Sequence, residues 1–183
     1  MARKHAVLSA SSAARWIACP PSARLNAEQS DMPSEYAAQG TDAHTLCEYK
    51  LRKALGKRVR DPTKKLSSYD SEMEECSEFY VQFIMGLVAQ FREENADTMV
   101  SVEQRVDFSD FVPDGFGTAD TLIISGKTVC IVDYKHGKGI EVSAERNPQM
   151  MCYALGSIQM FDGLYDIESI WMIIFQPRLS NIS

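Results

Sequence analysis

Apolar and polar positions alternate through residues 117–135, GTADTLIISGKTVCIVDYK, with one break at Ser125-Gly126-Lys127. A period of two on both sides of a glycine-containing break predicts two strands joined by a tight hairpin. With Gly126-Lys127 as the loop, Ser125 faces Thr128, and the same register sets Asp120 opposite Asp133 with Cβ atoms about 5 Å apart. With Ser125-Gly126 as the loop, the two aspartates become diagonal neighbours on one face, within about 7–8 Å. Lys135, two residues past Asp133, points to that face too. The flanks TLII and VCIV are apolar on both faces, which predicts a central hairpin covered on both sides.

The rest of the chain supplies the covering elements. Residues 9–18 read as a short helix behind a serine cap, ended by Cys19-Pro20-Pro21, and 22–29 as another turn or two. Residues 30–39 are polar and predict a loop. A helix then opens at Gly40-Thr41, with Thr41 as N-cap, and runs to about residue 55. His44, Cys47, Leu51 and Leu55 share one of its faces, so His44 sits inward in the first turn. Gly56 ends that helix and a basic loop containing Pro62 follows. Residues 68–95 form the longest helix, with a stripe of Met73, Cys76, Phe79, Tyr80, Phe83, Ile84, Leu87, Val88 and Phe91. Its first turns hold Asp70, Glu72, Glu74 and Glu75, favourable at the positive end of the helix.

Residues 98–108 are a strand bearing Val100, Val102, Glu103 and Val106, and 111–116 a loop. Past the hairpin, 136–143 is a glycine-containing mobile connection. Asn147-Pro148 begins a helix well, as N-cap and first residue, and that helix runs to about residue 160 with Gln149 and Tyr153 on one face. Residues 167–176 are a last apolar strand, ended by Pro177. Helices, three strands, a helix and a strand make one α/β domain: a small mixed sheet flanked by helices.

Composition narrows the class. The chain has 183 residues, 45% of them hydrophobic, enough for one domain with a real core. No apolar run approaches the roughly 20 residues of a membrane span, and the N-terminus has no sustained apolar stretch of the kind that signals secretion. Cys19, Cys47, Cys76, Cys130 and Cys152 are dispersed, with no CxxC pair, which points to reduced thiols in a cytoplasm. A net charge of −6 argues against a general polyanion binder. Residues 50–65, however, carry eight of the 19 Lys and Arg residues and one of the 25 acids, Asp61. Lys57, Arg58 and Arg60 in that segment are candidate nucleic-acid contacts; the alternative is a solvated helix end and loop.

Asp120, Asp133 and Lys135 are the candidate chemistry. Two carboxylates facing each other repel. A divalent cation between them reverses the sign, and a lysine beside them suggests a site that handles an anion. The alternative is a solvated sheet face with scattered charge. For His44 it is a satisfied core histidine.

The order of these residues resembles a family. Gly117-x-x-Asp120, then Asp133-Tyr134-Lys135, then Gln149-x-x-x-Tyr153 is similar to the motif string of RecB-like nucleases in the PD-(D/E)xK superfamily. Gly40-Thr41-x-x-His44 resembles the helix histidine of that branch. Ser9-x-Ser11 through Trp16 and Cys19-Pro20 resembles the N-terminal motif of its AddB-type and CRISPR-associated RecB-type members. Glu103 sits where many members keep a glutamate. The resemblance covers residues 9–153 and implies a restriction-endonuclease-like core. It implies that Asp120 and Asp133, with the backbone carbonyl of Tyr134, bind Mg²⁺ or Mn²⁺. His44 would add an imidazole that leans toward Mn²⁺, and Glu103 would serve at or just behind the metal. Lys135 would hold the attacking water, and Gln149 and Tyr153 would orient the lysine or the DNA backbone. The activity implied is phosphodiester hydrolysis of DNA, often exonucleolytic in this branch. The setting implied is phage or prophage DNA recombination, repair or processing in a bacterial cytoplasm, with a phage recombination or annealing protein as partner.

One departure matters. Iron–sulfur members hold their cluster with one upstream cysteine and three near the C-terminus. Cys19 fits the upstream position, but no cysteine follows Cys152, so a cluster is expected only in a longer form of the protein. The alternatives to an active nuclease are a catalytically silent nuclease-fold module that binds nucleic acid or a partner protein, and a structural phage protein with an unrelated α/β fold.

Overall fold

The computed structural model describes residues 6–27 and 34–183. The central hairpin pairs β2 (Phe116–Ser125) with β3 (Thr128–Tyr134) in the Gly126-Lys127 register, Ser125 against Thr128. Gly126, at φ +55, supplies the left-handed residue of the turn. β1 (Met99–Asp107) lies antiparallel outside β2, and β4 (Ser169–Gln176) lies parallel outside β3. The sheet is therefore mixed, in the order β1-β2-β3-β4-β5. The fifth strand, β5 (Asn181–Ile182), was not expected: Pro177 does end β4, but one 3₁₀ turn, Pro177–Leu179, reverses the chain so that it pairs back on β4.

Helices cover both faces. On one, α3 (Glu35–Ala54) and α4 (Ser71–Glu94) bury Leu46, Cys47, Leu51, Met73, Tyr80 and Ile84 against Ile123, Val132 and Tyr134. On the other, α5 (Pro148–Tyr165) and the N-terminal segment bury Met150, Tyr153, Ala10 and Ala13 against Leu122, Val129 and Ile131. The expected α/β architecture is thus the one observed, with a central hairpin enclosed on both sides. Among the described residues, no helix is long and apolar enough to cross a membrane.

Several expectations need correcting. α3 begins at Glu35 behind Ser34, whose hydroxyl accepts from the N–H of Ala37, so Thr41 is not the N-cap and His44 lies in the third turn. Thr41 instead back-bonds to the carbonyl of Ala37. Of the predicted 30–39 loop, residues 34–39 belong to that cap and helix, and 30–33 lie outside the described residues. Pro21 does not merely end α1 (Ala13–Ala18); it starts α2 (Pro21–Ala27), whose predicted extension to residues 28 and 29 also lies outside the described residues. α4 is capped by Asp70, which accepts from the N–H of Met73. Its stripe holds except at Phe79, which is 57% exposed. α5 runs five residues past the expected end, to a left-handed C-cap at Asp166. The 136–143 connection is tied down rather than free: the Gln176 amide donates to the carbonyls of Gly137 and Ile140 and accepts from the N–H of Val142.

Gly117 shows how closely these layers meet. A Cβ built there would lie 2.8 Å from Tyr153 Cε1 and 2.9 Å from Ala10 Cβ. Only a glycine lets α5 and the N-terminal segment approach β2 together. Gly117→Ala should therefore lower the unfolding free energy by about 1–3 kcal/mol, as overpacking does. An unchanged urea midpoint would mean that Tyr153 and Ala10 have room to move apart.

Candidate functional site

β2 and β3 part company at the end where the site forms. Their ladder runs only as far as Thr121 against Val132. At the next position the Asp120 carboxylate takes over, its Oδ2 accepting from the N–H of Tyr134 at 2.7 Å. β1 distorts at the same level. Glu103 stands opposite Asp120 in the register but outside the ladder, with φ +54. The left-handed region is strained for a residue with a Cβ, a cost on the order of 1–3 kcal/mol.

The consequence is a switch of faces. Val102 packs under α3 and α4, whereas Val106, four residues on, packs under α5. Ala119 and Leu122, three residues apart, both pack under α5. Strict alternation would give the reverse in each case. The switch brings Glu103 and Asp120 to His44, which α3 carries in from the other layer. His44 Nδ1 lies 3.1 Å from Asp120 Oδ1, and one ligand atom from each of His44, Glu103 and Asp120 falls within 4.8 Å of the other two.

Asp133 faces the α5 side. Its Oδ1 accepts from the Gln149 amide at 2.9 Å, and its Oδ2 lies 2.8 Å from Lys135 Nζ. That oxygen is buried and makes no hydrogen bond of good geometry. Gln149 organises this half of the site. Its Oε1 accepts from Lys135, and its Nε2 donates to both Asp133 and the Tyr153 hydroxyl, each at 2.9 Å. Asn147 fixes the base of α5 by accepting from the N–H groups of Gln149 and Met150.

Both halves open into one cavity of about 390 Å³, lined by His44, Asp120, Asp133, Lys135, Gln149 and Tyr153. Ser9, Ser11, Thr41 and Phe116 line it too. Phe116 was expected only in a loop, and Thr41 only as a helix cap within the Gly40-Thr41-x-x-His44 string. Thr41 precedes His44 by three residues on α3, so helical spacing alone could have found it. The N-terminal motif folds against the site as a unit: Trp16 Nε1 donates to the carbonyl of Ser9 at 2.9 Å.

The other predicted residues divide. Tyr134 enters through its backbone N–H, while its ring is buried beside His44 at 5.5 Å between centroids and its hydroxyl meets His136. Lys57, Arg58 and Arg60 are exposed in the loop beyond the far end of α3. Ten residues of helix, about 15 Å, separate His44 from Ala54, so the structure does not bring them to this cavity. Cys19 is exposed just after α1, and the other four cysteines are buried.

The electrostatics show an excess of negative charge. Burial pushes the Asp133 carboxyl up to about 6, aided by the charge on Asp120 and opposed by Lys135. Burial and Asp120 raise Glu103 to about 7. Burial alone would push His44 down, but the charge and hydrogen bond of Asp120, with Asp133 and Glu103, hold its imidazole at about 9. All three groups bind protons more tightly folded than unfolded, so the sign of the linkage is common to them. Stability from the raised His44 pKa is fully present below 6.5 and lost as pH rises through 9. A cation in the cavity would replace those protons. The donors fit a divalent ion: carboxylate oxygens, one imidazole, and a buried Asp133 oxygen without a hydrogen bond.

With divalent ions removed, the His44 ring resonances should titrate near pH 9, and Asp120→Asn should move the midpoint to below 8. A His44 midpoint near 6.5 in the unaltered protein, read by NMR, would refute the coupling to Asp120.

The residues that build the cavity are drawn from Ala6 to Tyr153, across most of the chain. All lie within one family match: residues 5–183 fit the model described as Protein of unknown function (DUF2800), and the chain belongs to that family.

Proposed function

We propose that this chain is a divalent-cation-dependent DNA nuclease of the RecB-like, PD-(D/E)xK type. One observation carries the reading. Two carboxylates from neighbouring strands, a lysine two residues past the second, and a histidine from a covering helix line the same cavity. This charge set suits a phosphodiester: anionic donors for a cation, and an ammonium for the anion.

Asp120, Asp133, His44 and Glu103 would hold Mg²⁺ or Mn²⁺, with the Tyr134 carbonyl as a further oxygen donor. The bound ion would supply Lewis-acid polarisation of the phosphate and activation of a water. Lys135, 27% exposed and pinned between Gln149 and Asp133, can donate to that water and offset charge growing on the phosphoryl oxygens. Gln149 holds Lys135 and Asp133 at a fixed separation, so that neither needs to reorganise during the reaction. Lys135, which can only donate, and the Asp133 carboxylate, which accepts, fix which way the Gln149 amide faces, and the Tyr153 hydroxyl takes a second hydrogen bond from the same Nε2. Hydrolysis then adds water to phosphorus, breaks one P–O bond and leaves a protonated alcohol and a phosphate monoester.

The test uses end-labelled linear DNA and circular DNA of the same sequence, with Mn²⁺ or with EDTA. Degradation should require Mn²⁺, and Asp133→Asn and Lys135→Ala should each reduce it at least about a hundred-fold, the scale of losing one electrostatic stabiliser. Circular dichroism should confirm that both variants fold. Cleavage that survives both changes would remove the assignment; DNA binding without cleavage by the unaltered protein would leave a silent module.

A further inference from the structure

One wall of the cavity is not explained by hydrolysis. Phe116, the first residue of β2, lines the cavity one position before Gly117. The Arg105 guanidinium sits over its ring, 3.6 Å from the centroid. Arg105 is exposed, pairs with Thr118 across β1 and β2, and has no ion-pair partner among the described residues. A cation laid on an aromatic ring, next to a site for a phosphate, is what a base-stacking platform requires. The ring offers a π-face to any base, and the guanidinium adds cation–π attraction and a phosphate contact.

The cavity's size bears on the form of the substrate. At about 390 Å³ it has room for roughly one nucleotide unit. Ser9, Ser11 and Thr41 add hydroxyls to its lining. A base stacked on Phe116 must have one face clear of its neighbours, which an unpaired strand offers at every base and a duplex only after it parts, at a cost of a few kcal/mol.

We infer that Phe116, backed by Arg105, is a base-stacking subsite that makes an unpaired nucleic-acid strand the preferred substrate. This rests on the nuclease reading for its catalytic meaning, but the subsite itself is a binding property. It is therefore tested first without turnover, using a fluorescein-labelled oligo-dT in EDTA and fluorescence anisotropy. Phe116→Ala should weaken binding roughly ten-fold, the scale of losing one stacked base. Phe116→Leu, which keeps bulk in the wall, should weaken it similarly, and Phe116→Trp should restore it. Arg105→Gln should weaken binding and lower the salt slope by about 0.7, one single-strand phosphate.

With Mn²⁺, the unaltered protein should degrade the single strand at least ten-fold faster than the blunt duplex. Phe116→Leu should raise KM with little change in kcat. Equal binding by the protein and its Phe116→Leu variant would overturn the subsite, whatever the activity. A blunt duplex degraded as fast as the single strand would overturn the substrate preference while leaving the nuclease reading intact. Platform-dependent binding with no cleavage of any DNA would sustain the subsite and defeat the nuclease reading instead.

Discussion

The site depends on the Asp120 carboxylate standing in for a rung of the sheet. β3 needs an acceptor for the Tyr134 N–H where β2 swings away, and Asp120 Oδ2 provides it. A buried backbone N–H without an acceptor costs on the order of 1–3 kcal/mol, so the aspartate is held by the fold before any ligand is considered. Its other oxygen is thereby aimed at His44. The same divergence of strands opens the space that Lys135 and Asp133 enter from the next position. A continuous ladder would have closed that space with hydrogen bonds.

Placing three acids and a histidine around that opening creates a debt in charge that the protein alone does not settle. Asp133 is 3% exposed at its side chain and has Lys135 2.8 Å away as its ion-pair partner. Glu103 and Asp133 are both pushed toward neutrality, and His44 is held in its charged form, which are three responses to a single field. Core packing does not call for this arrangement. The hydrophobic clusters on either side close without these residues. The strained Glu103 backbone points the same way, since relaxing it to an ordinary strand conformation would restore the pleat and lose the cluster.

Much of this could be read from residue order, and the limits have physical causes. The hairpin was legible because glycine and a period of two determine it locally, but they left two registers open, and only the structure selects the Gly126-Lys127 loop. The start of α5 was legible because Asn-Pro is a strong local signal. Phe79 misled because it is three residues from Cys76 and four from Phe83, yet it lies about 100° round the helix from the buried Tyr80, at the edge of the stripe, and is left exposed. α3 began early because Ser34 and the six residues after it carry no apolar periodicity, and helix propensity and capping decided the matter. The switch of faces at Glu103 had no signal at all. A glutamate in a valine-rich strand gives no warning of a positive φ, and the assumption of an unbroken pleat reached the right cluster by a route that the strands do not follow.

The bridge made by Gln149 illustrates a different limit. Its spacing to Tyr153 announces that the two share a helix face, but not that one amide will join the lysine to the second aspartate. That contact requires α5 to lie close on β2, which requires Gly117 to be bare, which brings Tyr153 and Ala10 to the same point. The N-terminal segment is therefore part of the site's construction: it presses on the residue that lets α5 approach, and its serines face the cavity that α5 helps to enclose. A motif string spread over 145 residues is what a site built from two covering layers and a parted hairpin should produce, since each layer contributes the side chains nearest the opening.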